Sequence, residues 1–262
     1  ARGIIAAMGS RHGNQHDRQL ACFDRRGRGL VIFQHILVFN HLAGTGPKAG
    51  ETYVMIQCVG SREKPNNYCS RVCCQTAVKN ALHIKEDYPD AQVFVLYRDI
   101  RTYGLLEDYY TEARRQGVFF FRFDPEDPPV AEAGKDGIEV TFTDHVLNRK
   151  LNVSTDLLVL SAGMEAEDTE ELSTIVKLAR TPEGYFMEAH VKLRPVDMAT
   201  EGIFVCGTAH SPKLLSETIS QAYAAAGRAI RSTRRRAQSS VSENACGVFS
   251  ACLRDRPGRI TV

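Results

Sequence analysis

The chain has 262 residues, 43% apolar and 24% charged, with a formal net charge of +2 from 33 Lys+Arg against 31 Asp+Glu. That composition excludes a disordered, collagen-like or mucin-like chain, and the near-balanced charge gives no general case for nucleic-acid binding. No apolar run reaches ~18 residues, so no membrane span is predicted, and no signal-peptide pattern opens the chain.

Residues 1–10 (ARGIIAAMGS) read as a short buried strand ending in a small-residue turn. A first residue that is Ala rather than Met, ahead of a strand, predicts a piece of a longer protein. Residues 11–29, with Arg25, Arg26, Arg28, Gly27 and Gly29, read as a solvated basic loop. Residues 30–43 are apolar enough for a buried element, strand or helix, before a break at Gly44, Gly46, Pro47 and Gly50. Residues 53–59 predict a buried strand. Residues 69–87 predict a helix with apolar Val72, Ala77, Val78, Ala81, Leu82 and Ile84, ended by Pro89 and Asp90. A strand over 93–97, a helix over 105–116 stopped by Gly117, and a strand over 118–123 follow. This β-α-β-α-β order of buried strands predicts an α/β fold built on a parallel sheet with right-handed crossovers.

Further on, 124–136 reads as an acidic, Pro-rich loop and 138–143 as an exposed antiparallel strand. An apolar strand over 156–161 ends at Gly163. Then come a short helix at 169–178, a strand over 202–206 and an Ala-rich helix over 216–232. From 233 the chain reads as a linker tail, with Arg234, Arg235 and Arg236 ahead of a Ser/Asn/Gly-rich stretch.

The eight cysteines fall at 22, 58, 69, 73, 74, 206, 246 and 252. Four of them crowd between Cys58 and Cys74, a usage that predicts a reducing, cytoplasmic setting and a metal or redox site rather than a secreted disulfide scaffold. On a helix Cys69 and Cys73 share a face, Cys74 lies beside it, and Cys58 approaches from the sheet edge. Four converging thiolates can ligate a [4Fe–4S] cubane. Tetrahedral zinc, a strained vicinal disulfide between Cys73 and Cys74, and plain burial as small hydrophobes stay open alternatives. Ser70, Arg71 and nearby helix amides are candidates to offset thiolate charge.

A second segment runs from Gly202 to His210 and on to Ser220-Gln-Ala-Tyr-Ala-Ala-Ala-Gly. A strand ending at Gly207 admits a cofactor closely, and the next helix offers free N–H groups. His190 and His210 flank it and read as hydrogen-bonded structural residues. The fingerprint G-x-G-x-x-G is absent, and Cys58-Val-Gly-Ser-Arg follows the strand where it would stand, so a nicotinamide cofactor is not predicted.

The segments VMIQCVGSRE, YCSRVCC, VLYRDIRTYG, FDPEDPP, EAHVKLRPVDMATEGIFVCG and AHSPK…SQAYAAA together resemble the A-type, flavin-carrying component of the heterodisulfide reductase family, densely over 51–232 and more weakly over 1–43. The resemblance implies a thioredoxin-reductase-like α/β fold. A Rossmann-type parallel sheet domain with the cysteine cluster would cover 51–163. Parts of an FAD-binding domain would cover 1–50 and 164–232, and a tail 233–262. It implies FAD and a [4Fe–4S] cluster, with Cys58, Cys69, Cys73 and Cys74 at the family's cluster-ligand positions. Gly9, Lys79, Gly207, Thr208, Gln221 and Ala222 match its flavin side.

The same resemblance implies an electron-transfer oxidoreductase that works with other heterodisulfide-reductase-type subunits. Its donors would be of hydrogenase, formate dehydrogenase or ferredoxin type, and it is compatible with a homodimer. The chain departs from the family in lacking its C-x2-C-x2-C runs, and in carrying Ile36 and Val38 near Gln34 where acidic residues are usual. Two other functions stay open: a pyridine-nucleotide disulfide reductase using Cys73 and Cys74, and a non-catalytic α/β scaffold.

Overall fold

The structure is a computed structural model that describes residues 30–33, 49–64, 66–134 and 137–243, with side chains described between 49 and 233. Gly9, Cys22, the proposed first strand, the basic loop at 11–29, most of the apolar stretch at 30–43, and Cys246 and Cys252 lie outside those residues. The chain divides into two compact units at Glu165/Ala166.

In the first unit, β1 (Leu30–Phe33), β2 (Thr52–Val59), β3 (Gln92–Tyr97), β4 (Phe119–Arg122) and β8 (Leu157–Ala162) form one parallel sheet in the order β1-β8-β2-β3-β4. Tyr53 stands opposite Val93 on one side and Leu157 on the other, so β2 is interior. Helix α1 (Cys73–Asp87) joins β2 to β3, and α2 (Glu107–Arg115), after a 3-10 turn at Gly104–Leu106, joins β3 to β4. A three-stranded antiparallel sheet, β5 (Val130–Ala133), β6 (Ile138–Asp144) and β7 (Arg149–Thr155), precedes β8.

Alternation along β2 explains how both faces of the sheet are covered. Tyr53 and Met55 pack with Ala77, Val78, Ala81 and Ile84 of α1. Val54 and Ile56 pack on the other face with Ile138, Val140 and Phe142 of β6. Strands buried on both faces read as continuous apolar runs, which is why β2, β3 and β8 stand out in the sequence.

Several expectations need correction. The first helix starts at Cys73, not at 69. Arg71 adopts left-handed backbone (φ 62), and the Val72 N–H turns back to the Ser70 carbonyl at 2.7 Å, so no helix can run through them. The supposed loop at 124–136 contains β5, and the unassigned stretch after 144 contains β7. Both are short or polar and are held by pairing with β6.

The second unit has far less regular structure: α3 (Glu170–Val176), a 3-10 turn at Gly207–Ala209 and α4 (Leu215–Glu243). The strand expected over 202–206 is reduced to one antiparallel bridge, Asp197 with Phe204. Helix α4 continues to Glu243, past the expected end at 232, and no Gly or Pro stands between Gly227 and that end to stop it. Phe186, Met198 and Val205 form a small buried cluster.

Candidate functional site

Cys58 comes from the carboxyl end of an interior strand rather than a sheet edge. It adopts φ 62, and the β2–β8 register shifts between Ile56 and Val59, a bulge that interrupts the ladder before Val59 pairs again with Ala162. Cys69 lies in the following loop and Cys73 and Cys74 open α1. The expected i, i+4 face shared by Cys69 and Cys73 is therefore not what brings these thiols together; the loop does it.

That loop is pinned onto the end of β8. Tyr68 donates its hydroxyl to the Met164 carbonyl at 2.7 Å, the Met164 N–H donates to Ser70 Oγ at 2.7 Å, and Asn66 donates to Glu165 Oε1 at 2.9 Å. Gly163 lets it approach: a Cβ there would lie 3.0 Å from Ser61 Cβ and Ser70 Oγ. Among the described residues five non-glycines have positive φ, and three of them, Cys58, Arg62 and Arg71, lie between 58 and 71. Each such residue costs about 1–2 kcal/mol, so strain is concentrated where the thiols are.

None of the four thiols is in a disulfide; Cys74 is buried and Cys58, Cys69 and Cys73 are half-buried. Burial pushes Cys73 up to about 12, and charge on Cys74, Cys58 and Cys69 adds to the rise. Burial likewise pushes Cys74 up to about 11, although the Arg101 backbone N–H works against it. Cys58 is also raised by burial, opposed by the Arg62 guanidinium beside it. Cys69 Sγ accepts the Arg71 N–H at 3.3 Å. Cys73 donates to the Ala162 carbonyl at 3.8 Å and Cys74 to the Asp99 carbonyl at 3.6 Å, so the carboxyl ends of β8 and β3 both face the site.

Among the described residues no group of three or more His, Cys, Asp or Glu closes around one point as a single ion requires. Four sulfurs about 2.3 Å from one zinc would sit about 3.8 Å apart. In a cubane each sulfur ligates its own iron instead of sharing one. The donor chemistry fits such a cluster: soft thiols only, partly buried, with N–H donors aimed at the sulfurs. Of the expected charge-offsetting groups, Arg71 meets Cys69 through its backbone N–H, while its side chain bonds the Tyr103 hydroxyl at 3.1 Å, and the Ser70 hydroxyl accepts the Met164 N–H. Arg62, which sequence reasoning passed over although it stands in the CVGSRE motif, is a further such group beside Cys58.

The flavin-side residues are placed less tellingly. Lys79 is exposed on α1. In the second unit Gly207 has φ 66, and a Cβ there would press on Thr218 Cγ2 at 3.0 Å. Its N–H donates to Gln221 Oε1 at 2.8 Å, so the Gln221 amide nitrogen faces His210 Nδ1 at 2.8 Å. Nδ1 therefore accepts, and Nε2–H donates to Glu188 Oε2 at 2.7 Å. This hydrogen bond is the main reason the Glu188 carboxyl stays below its usual range. His210 is thus held structurally, as expected, and His190 caps its own turn, accepting N–H bonds from Lys192 and Leu193 at 3.2 Å. Thr208 and Ala222 are exposed. Ala222 lies inside α4, and the Gly207 amide already has a partner in Gln221.

No family model matches the chain. Sequence comparison finds 37% identity over 260 residues with the second A-type iron–sulfur subunit of CoB–CoM heterodisulfide reductase from Methanopyrus kandleri, covering 88% of this chain and 39% of that protein. The A-type subunit of the ferredoxin:CoB–CoM heterodisulfide reductase of Methanosarcina acetivorans is 40% identical over 188 residues, 70% of this chain and 23% of that protein. By sequence, the chain is a relative of the A-type heterodisulfide reductase subunits. It spans well under half the length of these relatives. Their counterpart in the H2/formate:CoB–CoM heterodisulfide,ferredoxin reductase of Methanococcus maripaludis matches at 40% over 221 residues, 78% of this chain and 33% of that protein. Among solved structures, Lactococcus lactis thioredoxin reductase aligns over 83% of this chain and 63% of its own, with a TM-score of 0.50 at 13% identity. The fold is therefore the α/β, thioredoxin-reductase-like one that the family resemblance implies.

Proposed function

We propose that this chain is an electron-transfer oxidoreductase subunit of the A-type heterodisulfide reductase kind, in which Cys58, Cys69, Cys73 and Cys74 hold a [4Fe–4S] cluster that exchanges electrons with FAD. The observation that carries this reading is the set of four cysteines, none in a disulfide, at the carboxyl end of a parallel sheet, with Cys73 and Cys74 set on the Ala162 and Asp99 carbonyls, at the edge where open α/β sheets place their ligands. When bound, the cluster supplies a centre that takes up and releases one electron at a time. The chain's own part is to bury the sulfurs, aim the Arg71 and Arg101 N–H groups at Cys69 and Cys74, and set a guanidinium beside Cys58. Thiols held as high as about 11 and about 12 stay protonated when empty, so loading releases protons.

On the flavin side, Gly9, Lys79, Gly207, Thr208, Gln221 and Ala222 are the residues we assign. Gln221 would hold Gly207 in shape rather than meet the flavin with its carbonyl, which is already bonded. The names of the relatives, which include ferredoxin, H2 and formate, support partner subunits or donors of ferredoxin, hydrogenase or formate dehydrogenase type. Among the described residues no helix is long and apolar enough to cross a membrane, and we place the protein in the cytoplasm.

The disulfide-reductase alternative is disfavoured because a thiol near 12 is a poor source of attacking thiolate. Anaerobic reconstitution tests the main reading. The chain should take up roughly four iron per chain and absorb broadly near about 400 nm. Cys73→Ser should lose or convert the centre and Cys22→Ser should keep it. Equal iron in both variants refutes the ligand assignment, and a colourless, iron-free chain favours the scaffold.

A further inference from the structure

Arg62 is held in place more firmly than a loop arginine requires. Its backbone is left-handed (φ 63), its N–H donates to the Tyr68 carbonyl at 3.2 Å, and its carbonyl accepts Arg98 Nη1 at 3.1 Å. Its guanidinium lies beside the Cys58 sulfur. From there Nη2 pairs with Asp99 Oδ2 at 2.7 Å, while Nη1 is buried and makes no hydrogen bond with a described residue. Asp99 also receives Arg101 Nη2 at 3.4 Å, and its carbonyl accepts the Cys74 thiol. The Arg62–Asp99 pair, with Arg98 paired to Glu63 beside it, ties the strand end carrying Cys58 to the loop that touches Cys74.

We propose that Arg62 is the positioning cation of the cysteine centre, and that its pair with Asp99 sets how much of its charge the sulfurs feel. The inference rests on the reading of the four cysteines as cluster ligands. Reduction of the centre adds one electron and one unit of negative charge, and no bond need break. A cation fixed against Cys58 favours the more negative state and so raises the reduction potential. Asp99, whose charge opposes that of Arg62, lowers it. The buried, unpartnered Nη1 is a donor available to a sulfur acceptor.

The test is a potentiometric titration, followed by electron paramagnetic resonance, of the whole chain reconstituted anaerobically, with iron content measured alongside. Arg62→Gln should lower the midpoint potential by at least tenfold in the reduction equilibrium, about 59 mV for one electron. Arg62→Lys should restore most of that loss, and Asp99→Asn should raise the potential. A purely structural Arg62 would alter loading without moving the potential in opposite directions in the two charge variants. Iron-loaded Arg62→Gln with an unmoved potential overturns the inference, and so does Asp99→Asn moving it down or not at all. Should Arg62→Gln fail to load, Asp99→Asn alone decides by the same criterion. A wild-type chain that takes up no iron overturns the ligand reading together with this inference, so iron content separates the two failures.

Discussion

The two units are stabilised by different means. The first hides its strands between α1 on one face and the antiparallel sheet on the other, and Tyr53, Met55, Val93, Val95, Leu96 and Val159 have no measurable exposure. Among the described residues the second has an apolar cluster of three buried side chains, Phe186, Met198 and Val205, and adds polar ties. Arg228 grips Asp197 through Nε at 3.0 and 3.2 Å and Nη2 at 2.8 Å, and the Gly207–Gln221–His210–Glu188 chain fixes the turn ahead of α4. An apolar core tolerates loss of any one polar contact, whereas a polar frame concentrates its stability in a few charged hydrogen bonds. The thiol site belongs to neither pattern, being a strained loop laid across the end of a rigid sheet.

The sharpest way to break this comparison is to cut the first core. Leu96→Ala should cost about 2–5 kcal/mol, seen as a lowered denaturation midpoint of the first unit by urea titration with limited proteolysis. A loss under about 1 kcal/mol would mean that the sheet does not dominate that unit.

In the second unit, Asp197→Ala removes a charge-assisted, bidentate contact and should cost about 2 kcal/mol. The Arg228 hydrogen bonds hold the Asp197 carboxyl below its ordinary value, although burial opposes this. A depressed carboxylate pKa contributes stability above the unfolded value of about 3.9, and that stability is lost as pH falls through the folded value. The gap between wild type and Asp197→Ala should therefore be full at pH 7 and shrink below about pH 4, as thermal unfolding across pH would show. If Leu96→Ala and Asp197→Ala each lower a single shared transition equally, the two units unfold together and the comparison fails.

Gly163→Ala is the smallest expected effect on stability, about 1 kcal/mol from overpacking. It should nevertheless impair iron loading, because the new methyl group presses on Ser61 and Ser70 and lifts the loop between Cys58 and Cys69. Loading at the wild-type level would show that the loop's seat on β8 is irrelevant to the thiols.

The parallel core was legible in the sequence because burial on two faces writes an unbroken apolar run, as in YVMI, VFVL and LLVL. Strands β5 and β7 were not, since VAEA and RKLNVST owe their conformation to β6 rather than to their own pattern. The spacing of the cysteines pointed to a site, but its geometry was hidden. A left-handed Arg71 and a bulge at Cys58 are backbone events with no glycine to announce them. Arg62 escaped notice for a related reason: its partner Asp99 lies 37 positions on, and only the sheet brings them together.

The spectrum of the reduced, iron-loaded protein tests the four-cysteine centre most directly. Electron paramagnetic resonance of the dithionite-reduced chain should give one cluster signal that is lost or altered in each of Cys58→Ser, Cys69→Ser, Cys73→Ser and Cys74→Ser and unchanged in Cys206→Ser. An unaltered signal in any of the first four, or its loss in Cys206→Ser, would contradict it.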